Sequence, residues 1–160
     1  MPIASRPRYN RPMTQTTMQT LLSLAHHAAT VCGEVPVAAA VLDEKGEVIA
    51  TAHNEVETRG DATAHAELLA IRVACTKLGE KYLEGCTLVV TLEPCPMCAQ
   101  AISFARLRRL YFGAYDPKGG GVDNGARIFT QASCHHRPEV YGGIAARRSA
   151  ELLQIGRAHV

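Results

Sequence analysis

The sequence predicts an α/β protein, a mainly parallel or mixed sheet with helices on both faces, and three observations predict it. Apolar residues recur at helical spacing in residues 18–32 and 64–78. Short β-prone runs at 35–42 and 48–52 flank Asp43-Glu44-Lys45-Gly46-Glu47, a polar turn containing glycine and hence a hairpin signal. Residues 48–114 then make two strand–helix–strand passages in succession, which puts helices over the sheet.

At 160 residues the chain fits one domain with a core large enough to need no staples. Hydrophobic content of 47% with 20% charged residues is ordinary for a globular protein. No apolar run approaches the roughly 20 residues that span a bilayer. The start of the chain, with Pro2, Pro7 and Pro12 among Arg6, Arg8 and Arg11, lacks the apolar core of a signal peptide. The expectation is a cytoplasmic protein with no membrane partner. Its six cysteines are too sparse and uneven for a disulfide framework, so metal binding by two of them, with four reduced bystanders, is simpler. A formal charge of +2 does not by itself point to nucleic acid.

In chain order, residues 1–17 are expected to form a mobile tail, either a solvated extension or a basic arm for RNA phosphates. Residues 18–154 are expected to be the single domain, and residues 155–160 a non-native tail that breaks from the last helix. The first helix, 18–32, carries Leu21, Leu24, Ala25, Ala28 and Val31 on its sheet face and stops at Gly33; His26 and His27 are read as its surface. Ala38, Ala39 and Ala40 weaken strand propensity, but their small side chains let a helix or a bound ring approach closely. Asn54 offers a donor and an acceptor to a substrate, or else simply forms a turn.

Asp61 or Thr63 is placed to cap a helix over 64–78, with Lys77 and Gly79 as stop signals. His65 and Glu67 then fall in its first turn. A strand at 87–92 leads through Pro94 into a helix at 95–105, with Cys95 and Cys98 in the first turn, where the dipole favours thiolates. After a strand at 109–114 comes Asp116-Pro117-Lys118-Gly119-Gly120-Gly121, at the strand end where α/β sheets contact substrates. A short helix at 126–132, a strand at 139–141 and a helix at 144–154 complete the chain.

A Cys-x-x-Cys pair alone reads as a structural zinc half-site, a redox pair or chance. Joined to His65-Ala66-Glu67 upstream, and preceded by Pro94, it becomes the His-x-Glu, Pro-Cys-x-x-Cys signature of zinc-dependent nucleobase deaminases. Three protein ligands, His65, Cys95 and Cys98, leave a fourth position on the metal open. Zinc so held makes water a nucleophile near neutral pH. Glu67, kept off the metal, would carry the proton from that water to the ring nitrogen and then to the departing amine.

Three segments, Thr-Ala-His-Ala-Glu (63–67), Thr-Leu-Glu-Pro-Cys-Pro-Met-Cys (91–98) and Phe-Gly-Ala-Tyr-Asp-Pro-Lys-Gly (112–119), closely resemble the bacterial tRNA-specific adenosine deaminases. The resemblance extends over residues 33–153 and includes His-His-Arg-Pro-Glu-Val-Tyr at 135–141. It implies a three-layer α/β/α cytidine-deaminase-like fold around a five-stranded mixed sheet, one zinc per subunit, and a homodimer. The implied substrate is the wobble adenosine in the anticodon stem-loop of an arginine tRNA. Zinc falls to His65, Cys95 and Cys98, proton transfer to Glu67, and contact with the flipped base to Asn54. Ala66 and the Pro94 region would approach the ring or the attacking oxygen through backbone, and Asp116 and Lys118 would touch the anticodon nucleotides. Arg106, Arg108 and Arg109 face either RNA phosphates or solvent. The chain leaves the family pattern after Gln154, where paired phenylalanines and basic residues normally follow.

The rival activities are a free-base or nucleoside deaminase acting on guanine or cytosine and, from another class, a silent zinc-containing RNA-binding module. Thr91-Leu92 and the loop at 116–119 favour the tRNA enzyme. An intact Glu67 disfavours the silent module.

Overall fold

A computed structural model describes residues 11–158, with side chains described from Thr14 to Gln154. The elements follow in the order α1 (Arg11–Cys32), β1 (Ala38–Leu42), β2 (Val48–His53), α2 (Val56–Arg59), α3 (Ala66–Leu78), β3 (Thr87–Leu92), α4 (Pro96–Phe104), β4 (Arg109–Ala114), a 3-10 turn (Ile128–Thr130), β5 (Glu139–Tyr141) and α5 (Ala146–Ala158). The strands form one sheet in the order β2-β1-β3-β4-β5. β1 pairs antiparallel with both β2 and β3, whereas β3, β4 and β5 run parallel. The sheet is therefore mixed and five-stranded, as expected.

Alternation along the strands builds two apolar layers. Ala38, Ala40 and Leu42 of β1, with Val89 and Tyr111, bury Met18, Leu21, Leu22 and Ala25 of α1. On the other face Ala39, Val41, Leu88, Val90, Leu110 and Phe112 meet Ala66, Ala70 and Ala74 of α3 and Ala99 and Ile102 of α4. The alanines of β1 are fully buried between helices, which explains why a strand tolerates three residues of poor β propensity.

Several boundaries differ from expectation. α1 begins at Arg11, inside the segment expected to be a tail, and buries Thr14 and Thr17 one turn ahead of Met18 and Leu21. Those threonines occupy the core stripe by position and not by residue type, so an apolar pattern does not reveal them. Residues 1–10 lie outside the described residues. The expected caps Asp61 and Thr63 do not start α3: the Asp61 carboxylate closes a local turn on the Thr63 N–H and hydroxyl, and His65 is the N-cap. A short helix expected at 126–132 reduces to the 3-10 turn, and α2 is an element the sequence did not announce. Finally, α5 starts two residues later than expected, after Ala145 in the left-handed region at φ 52. It then runs on through Ile155 to Ala158 where a break was expected. A single glycine, Gly156, costs such a helix only about 1 kcal/mol.

Candidate active site

The two parallel strands β3 and β4 end at the same edge of the sheet, next to β1, which runs the opposite way. A crevice opens at such a reversal, beyond the carboxyl ends of the strands. Four segments converge there: the end of β2 with Asn54, the N-terminus of α3, the β3–α4 junction, and the loop after β4. A cavity of about 740 Å³ between them is lined by, among others, Asn54, His65, Glu67, Glu93, Cys95 and Asp116.

His65 and Cys95 are the N-cap residues of α3 and α4, and neither side chain makes a capping hydrogen bond. Both are thereby available to a ligand lying between two helix N-termini. His65 Nδ1 stands 3.5 Å from Cys95 Sγ and 3.6 Å from Cys98 Sγ. A tetrahedral ion with Zn–S near 2.3 Å and Zn–N near 2.0–2.1 Å requires an N···S edge of about 3.6 Å. His65, Cys95 and Cys98 form the one group of candidate metal donors among the described residues, with donor atoms within 4.8 Å of one another. The geometry thus fits zinc, and the Glu67 carboxylate is not part of the donor set.

Electrostatics divide the site. The hydrogen bond from the Cys98 thiol, assisted by His65, pulls Cys95 down to about 4 against the opposing effect of burial. Cys98 moves upward, because its proton is held by the Cys95 sulfur and because it is buried. A cation bound in place of that proton would favour both sulfurs as thiolates. His65 is raised chiefly by its bond with Cys95. Glu67, only 4% exposed, is raised mainly by burial.

Asn54 has a defined orientation. Its Oδ1 accepts the Ala66 N–H at 2.8 Å, which leaves the amide Nδ2 available to the cavity. The oxygen keeps a second lone pair beside the amide donor. Ala66 and Pro94 are buried beside the cavity's lining residues; the Ala66 N–H donates to Asn54 Oδ1, and the Pro94 carbonyl accepts the Gly121 N–H at 2.8 Å. Asp116 lines the cavity, but its Oδ1 accepts the N–H groups of Lys118 and Gly119, and Lys118 is exposed on the outer side of that turn.

Arg106, Arg108 and Arg109 lie at the opposite end of β3 and β4, about 20 Å away along a six-residue strand. Arg106 packs over the Tyr82 ring and approaches Glu84, and Arg109 pairs with Glu139 at 3.3 Å. Arg106 and Arg109 thus have partners within the protein, while Arg108 is exposed.

Two buried glutamates beside the cavity, Glu34 and Glu93, escaped sequence reasoning. Each follows a loop or strand boundary, and each accepts backbone N–H groups from a segment more than twenty residues away. The one local hint is a charged residue set beside apolar ones, in Gly-Glu-Val and Leu-Glu-Pro.

The family model for the cytidine and deoxycytidylate deaminase zinc-binding region matches residues 12–114. A tRNA-specific adenosine deaminase of Agrobacterium fabrum is 57% identical over 121 residues, 76% of this chain and 79% of that protein. The solved structure of a tRNA:A34 deaminase, of the kind that performs A-to-I editing at the wobble position of transfer RNA, superposes with a TM-score of 0.81 at 50% identity, covering 86% of this chain and 99% of the other. The guanine deaminase of Nitrosomonas europaea gives a TM-score of 0.78 at 26% identity, covering 96% and 89%.

Proposed function

The chain belongs to the zinc-binding cytidine and deoxycytidylate deaminase family, and from that premise we propose that it deaminates the wobble adenosine of a tRNA anticodon loop to inosine, with zinc as cofactor. The observation that carries the choice of substrate is the contrast in likeness: 57% and 50% identity to tRNA adenosine deaminases over 76% and 86% of this chain, against 38% over 63% and 26% over 96% for two guanine deaminases of similar fold.

His65, Cys95 and Cys98 would hold the zinc. When bound, the metal supplies a Lewis acid that renders water nucleophilic near neutral pH. Glu67 takes a proton from the attacking water on a carboxylate oxygen, delivers it to the ring nitrogen beside the attacked carbon, and serves the departing amine in the same way. A C–O bond forms, the exocyclic C–N bond breaks, and ammonia leaves. Asn54 Nδ2 donates to an acceptor nitrogen of the flipped base. Ala66 acts by fixing Asn54, and Pro94 by holding the loop after β4 through Gly121. Asp116 and Lys118 meet the nucleotides flanking the target.

Arginine tRNA is the proposed carrier of that adenosine, from the family resemblance in residues 33–153. Incubation of the protein with an arginine tRNA anticodon stem-loop is expected to yield inosine at the wobble position. Release of ammonia from guanine or cytosine with the stem-loop untouched would replace this function with free-base deamination. No turnover of any base would leave a silent binding module.

A homodimer is proposed as well. Met97, Ala101 and Phe104 share one face of α4, Met97 is 37% and Phe104 70% exposed, and Val73 on the neighbouring α3 is 40% exposed. An apolar stripe of this kind on two adjacent helices suits a partner copy. Sedimentation at micromolar concentration measures it directly, and a monomer there contradicts it.

A further inference from the structure

Glu93 is 2% exposed and carries no cation partner among the described ion pairs. Its charge is met instead by five donors. Oε1 accepts the Asp116 N–H at 3.1 Å and the Asn124 Nδ2 at 2.7 Å. Oε2 accepts the N–H groups of Val122 at 3.1 Å, Asp123 at 3.0 Å and Asn124 at 3.0 Å. An ionised carboxylate offers about four lone-pair sites, so these donors saturate it. All five lie in residues 116–124, a stretch with no helix or strand of its own.

The glycines of that stretch follow from the same contact. A Cβ on Gly120 would meet Glu93 Oε2 at 2.4 Å, and one on Gly121 would meet the Pro96 nitrogen at 2.5 Å. Neither glycine has a positive φ. They are there for close approach to the carboxylate and to the start of the zinc helix. Asp116 and Gly119, the cavity-lining residues of the loop, are therefore placed by a group two residues from the ligand Cys95.

We infer that Glu93 is the positioning residue of the substrate loop, holding residues 116–124 against the β3–α4 junction so that RNA binding, and neither the metal nor the chemical step, depends on its charge. This rests on the tRNA deaminase function proposed above for the substrate, though the hold on the loop can be measured without it.

The test uses the full zinc-loaded chain with Glu93→Gln, Glu93→Asp and Asn124→Ala. Glutamine retains one acceptor oxygen but turns an NH2 group toward donors that need an acceptor. In Glu93→Gln, amide exchange at 116–124 is expected to accelerate about tenfold or more while β3 and β4 stay protected, with zinc content unchanged. KM for the stem-loop should rise about tenfold, with kcat within about threefold. The shorter but charged Glu93→Asp should restore part of the KM. Should Glu93→Gln fail to fold, Asn124→Ala, which removes the 2.7 Å bond, is expected to speed exchange in the same segment and raise KM about threefold. Unchanged exchange at 116–124 overturns the inference, as does faster exchange without a rise in KM. Loss of zinc and of kcat alongside the rise in KM would overturn it too, making Glu93 part of the scaffold of the metal site. A wild-type protein inactive on the stem-loop refutes the function, and the exchange experiment still decides what Glu93 holds.

Discussion

Glu67 and His65 are two residues apart yet are given different surroundings by their position in one helical turn. His65, as N-cap, directs Nδ1 at the two sulfurs, whereas Glu67 lies inside the helix, buried, with its carboxyl raised by burial. Replacing Glu67 with Ala should therefore leave about one zinc per chain and reduce turnover by a factor of about 10² to 10⁴, the range for losing a positioned acid–base group. Metal analysis beside a stem-loop assay checks both halves, and loss of zinc in this variant would make Glu67 a ligand. At this scale the sequence was informative about the metal donors, since His65, Cys95 and Cys98 belong to short motifs and the fold brings them together. Asn54 was only half legible. Its oxygen accepts the Ala66 N–H, twelve residues on, a contact that spacing does not announce.

Among the elements, long periodic helices and compact strands were legible, with β3, β4 and β5 bounded as expected. α2 was not, because four residues with no buried member have no apolar pattern to read. Its stability comes from Glu34, whose carboxylate accepts the N–H groups of Glu57 and Thr58 at 2.9 and 2.8 Å and the Thr58 hydroxyl at 2.7 Å. That is a helix cap supplied from a distant segment. Burial of Glu34 would raise its pKa, but these bonds and the charge of His53 outweigh it and hold the carboxyl below the usual 4.5. A depressed carboxylate contributes stability above its unfolded pKa and loses it as pH falls through the folded value. Glu34→Gln should thus cost about 1 to 3 kcal/mol at pH 7 in urea unfolding. The difference from wild type should shrink once the pH drops below 4.5. A pH-independent difference would assign the loss to packing.

For the whole molecule, the apolar layers on the two faces of the sheet are complete without the metal, and zinc would only tie the start of α3 to the start of α4, thirty residues later. The motif made zinc legible, but not whether the fold depends on it, because that turns on how much core lies elsewhere. An ion that binds the native state alone, at a free concentration about a hundred times its Kd, adds about 2.7 kcal/mol. At about 2–4 °C per kcal/mol for a chain of this size, chelation should lower Tm by about 5–11 °C. Far-UV dichroism at 25 °C should remain that of the folded protein, and added zinc should restore the melting point. A chelated protein already unfolded at 25 °C would mean the metal is the folding nucleus, as in small zinc domains. An unchanged Tm would mean that His65, Cys95 and Cys98 do not bind it, because a ligand that favours the native state must raise the temperature at which that state is lost.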